Sequence, residues 1–368
     1  MTRALLWAVS TRYTRLLPGG RSGTGPLCVI PTAAANAANG YQRTVETFDG
    51  FGGAGTATGV LIDSNLPETA RDPNVVAQLR RCSGFYFVGG VQSRIVAAFR
   101  PNGERTPAFD ALMERFRAGA VVAGSSAGAA IMSDPMIAGG NSAPALANGV
   151  RRASRTAAPR PASAPTGANA DEEEDDVRGV SIAPGLGFLS GVLVDQHFLA
   201  RGRVGRLIVA VMEMAEVDLG FGIDENTALV VEGDVAWPVG ASGVVILDER
   251  GARRDGRTID DLRLHLMSDG DRFDIRRRTL TLASAKTTLA ASDAVVTPPA
   301  DVFERWRFLH LLHEFARTGA AELLLPVEGG SIVLTKTSEF RARSATTPGV
   351  QNTPAGLSMS GLLLDLRR

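Results

Sequence analysis

Gly124-Ser125-Ser126-Ala127-Gly128 matches the G-x-S-x-G pattern, in which a sharp strand-to-helix turn holds a serine in a strained conformation and projects its hydroxyl from a sheet. Small flanking residues suit such a turn because it brings the strand and helix backbones close together. A helix starting after Ser126 would aim backbone N–H groups and its positive end at the reacting centre, favouring a developing oxyanion. The chemistry these types offer is nucleophilic attack by Ser126. A glycine-rich turn with an idle serine is the competing reading, so the rest of the chain must supply a base.

The candidates for that base are His197, His265, His310 and His313. His310 and His313 lie three apart on a predicted helix rich in Phe, Trp and Leu, where packing or a solvated face suits them better than a metal pair lacking a third ligand. His265 sits in the alternation Leu264-His265-Leu266, which places it on the exposed face of a strand. His197 differs, because Asp195-Gln196-His197-Phe198 follows an apolar strand and so stands at the strand edge where α/β sheets build their sites. Asp224 and Glu225, in Gly222-Ile223-Asp224-Glu225-Asn226, also meet a strand end, and either could orient His197. Arg201, Arg203 and Arg206 open the next helix; a solvated basic helix start is one reading, and carboxylate binding through bidentate guanidinium contacts is the other. Gly89-Gly90-Val91-Gln92 ends a strand, and its glycines would let a backbone N–H approach a ligand closely.

The elements that must position these residues read as β-α units on a parallel sheet. Strands are predicted at 27–30, 59–62, 84–88 and 120–123, with helices at 36–48, 74–82, 93–99 and 108–117. The sheet resumes with strands at 191–194, 227–231 and 243–248 and a helix at 204–215. The fold class expected is α/β, a doubly wound, mostly parallel sheet with helices on both faces and the nucleophile elbow at a strand-helix turn, followed by a C-terminal extension. Residues 141–178 shift to Ala, Pro, Ser, Thr and Arg and then to the acidic run Asp171 to Asp176, a composition that buries little apolar surface and predicts a disordered insertion. The domain reading is a leader at 1–24, a catalytic domain at 25–285 and an extension at 286–368 carrying a predicted helix at 302–316.

Composition bounds the function classes. The 368 residues, 44% hydrophobic, suffice for a substantial core. Lys plus Arg and Asp plus Glu both count 39, so no global basic field points to nucleic acid or an anionic membrane. No apolar run approaches ~20 residues, which argues against a membrane-spanning helix, and the short apolar run Ala4 to Val9 does not make a secretory signal. Cys28 and Cys82, without C-x-x-C spacing, read as buried free thiols in a reducing, cytoplasmic setting.

Taken together, Gly89-Gly90-x-Gln92, Gly124-x-Ser126-Ala127-Gly128, Asp195-Gln196-His197-Phe198 with the following Arg-Gly-Arg, and Gly222-Ile223-Asp224-Glu225 resemble the cyanophycinase family in content and order. Met136-Ile137 with Gly139 extends the likeness. It implies a fold like that of aspartyl dipeptidase, related to class I glutamine amidotransferases, and a serine exopeptidase releasing β-aspartyl-arginine from the storage polymer cyanophycin. By resemblance Ser126 is the nucleophile, His197 the general base and Glu225 the acid partner. Gly90 and Ala127 are the oxyanion donors, and Gln92, Asp195, Gln196, Arg201, Arg203 and Arg206 contact substrate.

No metal or organic cofactor is expected, and the partners implied are a peptide substrate and, at most, a second copy of the chain in a homodimer. Two departures stand out. Val91 occupies a position where the family usually has Asp or Asn, and the family's Gly-rich opening strand is not recognisable in Leu5 to Val9. Three alternatives stay open: an isoaspartyl or aspartyl dipeptidase using the same triad, a glutaminase or amidotransferase subunit, which Ser126 in place of cysteine opposes, and a catalytically silent binding protein of the same fold.

Overall fold

The computed structural model describes residues 3–8, 25–152, 179–345 and 356–368. Strands and helices alternate at first: β1 (Arg3–Ala8), β2 (Leu27–Ile30), α1 (Gln42–Gly52), β3 (Ala57–Gly59), α2 (Pro73–Arg81), β4 (Gly84–Phe87), α3 (Gln92–Phe99), α4 (Pro107–Arg117), β5 (Val121–Ser125) and the single-turn α5 (Ala127–Ala130). Then come β6 (Met136–Gly139), α6 (Ser142–Asn148), β7 (Val150–Arg152), β8 (Val180–Ala183), β9 (Val192–Gln196), α7 (Val204–Glu213) and β10 (Leu219–Ile223). The remainder is mostly strand: β11 (Thr227–Glu232), β12 (Val235–Gly240), β13 (Gly243–Asp248), β14 (Arg253–Asp255), β15 (Thr258–Ser268), β16 (Arg272–Asp274), β17 (Thr279–Thr281), β18 (Thr287–Thr288), α8 (Arg307–Arg317), β19 (Glu322–Val327), β20 (Gly330–Ser344) and β21 (Ser358–Arg367).

Local signals set the helix starts. Asp72 caps α2 by accepting from the Asn74 N–H at 2.8 Å, and Thr106 caps α4 by accepting from Phe109 N–H at 3.3 Å. Each cap is followed by proline at the first helical position, where its missing N–H costs nothing. Phe48 of α1 packs with Val29 and Tyr86 on one face of the first sheet, while Leu79 of α2, Phe99 of α3 and Leu112 of α4 pack with Cys28, Phe85 and Phe87 on the other. The alternation along β2 and β4 follows from the two-residue period of a strand.

The single sheet expected from the sequence is instead two large ones. In the first, β1, β5, β4, β2 and β3 run parallel in that spatial order, and β11, β12, β16 and β17 continue antiparallel beyond β1. The second runs β18-β20-β21-β15-β13-β10-β9, with only β9 and β10 parallel among these neighbours. Strands that read alike in sequence are thus divided, β11 joining the first sheet and β9, β10 and β13 the second. A small third sheet, β6-β8-β7, lies beside them.

Three boundaries need correction. β1, expected in a leader outside the catalytic domain, lies between β5 and β11 within the first sheet. The insertion expected from 141 begins with ordered structure, α6 and β7, and only its residues 153–178 fall outside the described residues. The extension at 286–368 is no appendage: β21 pairs with β15, Leu262 opposite Leu364 and Leu264 opposite Leu362, and all four leucines are buried. Lys286, buried where the extension departs, sits 2.8 Å from Asp271 Oδ2 and donates to the hydroxyls of Ser268 and Ser358, tying the extension's exit to the start of β21.

The free thiols are corrected too: Cys28 of β2 and Cys82, just after α2, form a disulfide, with Cα atoms 5.8 Å apart. Cys28 stands opposite Phe85 in the register, and it is the turn from α2 into β4, held by Ser83 N–H on the Pro26 carbonyl at 2.9 Å, that carries Cys82 beside β2; the argument for a reducing compartment falls with the free thiols. Among the described residues no helix is long and apolar enough to cross a membrane.

Candidate functional site

Ser126 occupies the turn between β5 and α5 with φ 51° and ψ −112°, a conformation disfavoured for any residue with a Cβ. The two flanking glycines are sterically required. A Cβ on Gly124 would stand 2.3 Å from the carbonyl oxygen of Gly128, and one on Gly128 would stand 2.4 Å from that of Phe87. α5 is a single turn, too short to sum a large dipole, so stabilisation of negative charge here falls to individual N–H groups rather than to the helix as a whole. The N–H of Ala127, first in that turn, has no intrahelical acceptor.

The candidate base comes from the second sheet. β9 and β10 pair with Gln196 opposite Ile223, so the residues that follow, His197 and then Asp224 and Glu225, leave the sheet side by side. His197 Nε2 lies 3.0 Å from Ser126 Oγ, and His197 Nδ1 lies 3.1 Å from Glu225 Oε1. Ser126 and His197 are buried. Glu225 is held below its ordinary pKa first by the hydrogen bond with His197, with Arg305 and Arg201 contributing positive charge. A serine, an imidazole and a carboxylate in series can move a proton off the hydroxyl and stabilise the resulting imidazolium.

Asp224, the competing carboxylate, faces elsewhere. It accepts from Ala200 N–H at 2.8 Å, from Ser242 Oγ at 2.5 Å and from Trp306 Nε1 at 3.1 Å. Burial raises its pKa, partly offset by the bonds from Ser242 and from the Ala200 and Glu225 N–H groups. It ties the turn carrying His197 to β13 and to the segment ahead of α8, whereas Glu225 carries the contact to the imidazole.

The structure divides the six side chains expected to meet substrate. Arg203 and Arg206 are 1% and 2% exposed and bind inward. Arg206 grips Asp195 with both ends of its guanidinium, Nε to Oδ2 at 2.8 Å and Nη2 to Oδ1 at 2.6 Å, and also donates to the Gly140 carbonyl. Arg203 donates to the carbonyl of Gln196. Burial of this density demands internal partners for each charge, which is why these arginines staple the His197 loop instead of projecting from it. Gln92 donates to the Ala138 carbonyl at 3.0 Å. Gln196 keeps a buried Oε1 without a hydrogen-bond partner among the described residues, and Arg201 is half-buried and close enough to Glu225 to depress its pKa. Gly90, at φ 141°, could not be replaced without its Cβ meeting the Ala33 carbonyl at 2.1 Å.

Two neighbours of the site escaped sequence reasoning. Arg305 Nη2 stands 3.4 Å from Glu225 Oε2, and Trp306 bonds Asp224; both precede α8, in the segment read as the start of a helix. His265, expected on an exposed face, is buried, with neither ring nitrogen bonded among the described residues. Burial pulls its pKa down to about 4, because β15 is enclosed by β13 and β21 and by Phe273. His310 and His313 are half-buried on α8.

No family model matches the chain. A protein of Nostoc sp. strain PCC 7120 described as "Cyanophycinase" is 32% identical over 275 residues, 71% of this chain and 80% of that protein. One of Trichormus variabilis strain ATCC 29413 bearing the same description matches to the same extent. Among solved structures, that of a peptidase from an acI-B1 Actinobacterium is 19% identical with a TM-score of 0.46, covering 68% of this chain and 91% of that one.

Proposed function

The chain belongs to the cyanophycinase family, and from that premise we propose that it is a serine peptidase acting on β-aspartyl peptides, which cuts cyanophycin between successive units and releases β-aspartyl-arginine with its β bond intact. The observation that carries this reading is the unbroken series Ser126 Oγ, His197 Nε2, His197 Nδ1 and Glu225 Oε1, with contacts of 3.0 and 3.1 Å.

In the proposed reaction Ser126 Oγ attacks the carbonyl of the bond that joins successive β-aspartyl-arginine units while His197 Nε2 takes its proton, and Glu225 stabilises the imidazolium. The N–H groups of Gly90 and Ala127 receive the oxyanion. Collapse passes the His197 proton to the leaving amine and leaves an acyl-serine. Water, deprotonated by His197, then releases the acid product. Gln92, Gln196 and Arg201 are the side chains best disposed to meet substrate, and the Asp195, Arg203 and Arg206 cluster holds the histidine loop in place.

The test is turnover of purified cyanophycin, β-Asp-Arg and α-Asp-Arg by the wild type and by Ser126→Ala. The expected products from the polymer are β-Asp-Arg dipeptides, with neither dipeptide cleaved further and the variant at least about a thousandfold slower on the polymer. Equal cleavage of the α-linked peptide would remove the β-specific reading, and cleavage of dipeptide but not polymer would replace it with a dipeptidase. A variant retaining more than about a tenth of the activity would remove Ser126 from its role.

A further inference from the structure

Resting on the triad reading above, we infer that Arg305, supplied by the C-terminal part of the chain, is a positioning residue of the catalytic series, bearing on Glu225 from the side opposite His197. Glu225 offers Oε1 to His197 Nδ1 at 3.1 Å and Oε2 to Arg305 Nη2 at 3.4 Å. The carboxylate is thereby gripped at both oxygens, which fixes the rotation that aims Oε1 at the imidazole. Four groups with ionisable or charged side chains face or adjoin Glu225: His197 and Arg201 from the turn after β9, Arg305 from the segment before α8, and its neighbour Asp224.

An exposed ion pair alone would mean little, and Arg305 is 58% exposed. Its placement rests on more than that contact. Its guanidinium stacks on the Trp306 ring, 4.1 Å from the centroid, an attraction that restricts where the charge can sit. Trp306 is itself pinned three ways, by its N–H on the Leu199 carbonyl at 2.8 Å, by Nε1 on Asp224 and by that stacking. It holds φ 55°, which a bulky residue adopts only where its surroundings over-determine it. Among the described residues, four of the seven non-glycine positions with positive φ are Ser126, His197, Asn226 and Trp306. The first three lie on or beside the triad, and the fourth carries Arg305 to it. Backbone strain of this kind collects at working sites, and Trp306 belongs to the same strained set.

Arg305→Gln removes the charge while leaving an exposed polar side chain, so melting temperature should stay at the wild-type value. Without the guanidinium the His197–Glu225 pair is easier to protonate, and the acidic limb of kcat/KM on a β-aspartyl substrate should move up by roughly half a pH unit, the scale of a partly exposed charge contact. At a pH on that limb kcat should fall roughly two- to fivefold, with KM unchanged, and Arg305→Lys should restore most of the shift. An unshifted limb, or a rise in KM alone, overturns the inference and makes Arg305 a surface or substrate-binding group. Absence of turnover by the wild type would instead defeat the peptidase reading, so the two failures are distinct.

Discussion

Ser126 is held by five consecutive residues at the end of one strand, in the parallel part of the first sheet, and the clashes that require Gly124 and Gly128 arise within that turn and against its neighbour β4. His197 and Glu225 are held from a distance. Their turns follow β9 and β10 in the second sheet, and they are fixed by Ser242 before β13, by Arg206 across α7 and by Trp306 and Arg305 ahead of α8. One half of the site is local and the other is assembled from segments far apart in sequence. The turn at Ser126 should therefore tolerate changes elsewhere, while the geometry of His197 depends on contacts that no local motif records.

The sharpest way to probe the assembled half is at its two adjacent carboxylates. Glu225→Gln keeps the shape but loses the charge that stabilises the imidazolium, and kcat should drop by about 10²–10⁴-fold with little loss of stability. Asp224→Asn should do the reverse. Replacing one carboxylate oxygen with an amide where three donors converge should cost about 1–3 kcal/mol of stability and slow turnover far less. Chemical unfolding and kcat, measured on both variants, decide it; near-normal turnover in Glu225→Gln with collapse in Asp224→Asn would exchange the two roles.

A smaller effect separates the sheets by pH. His265, inside the second sheet, has a folded pKa of about 4 against 6.5 for the free side chain. Its folded pKa is the lower one, so the unfolded chain takes up the proton first. Stability is therefore complete above pH 6.5 and is lost as pH falls toward 4, by about 3 kcal/mol for a shift of this size. His265→Leu should remove that part of the acid sensitivity without touching activity at neutral pH. Urea unfolding at pH 7 and pH 4 measures it, and equal pH slopes in the two proteins would show that His265 contributes nothing.

The same local and assembled division explains what the sequence disclosed. The turn at Ser126, the helices α2 and α4, and the strand ends bearing His197 and Glu225 were legible because each is written in a short run: a glycine pair, a capping residue before proline, an apolar strand followed by polar residues. The second sheet was not, since β9, β11 and β13 share the same apolar pattern and only pairing partners far along the chain sort them. Arg203 and Arg206 read as a basic helix start because nothing local reveals that Asp195 and the Gln196 carbonyl await them. The Cys28–Cys82 bond depends on the turn from α2 into β4 meeting β2, and Arg305 and Trp306 looked like part of a helix.

The central claim is that Ser126 is a nucleophile made reactive by His197. The most direct measurement is treatment of the folded protein with a serine-reactive phosphonyl fluoride, followed by intact mass and peptide mapping, in the wild type and in His197→Ala. The expected result is one adduct per chain, on Ser126, formed rapidly in the wild type and at least about a hundredfold more slowly in the variant. An adduct on another residue, or labelling of Ser126 at the same rate without His197, would contradict the account.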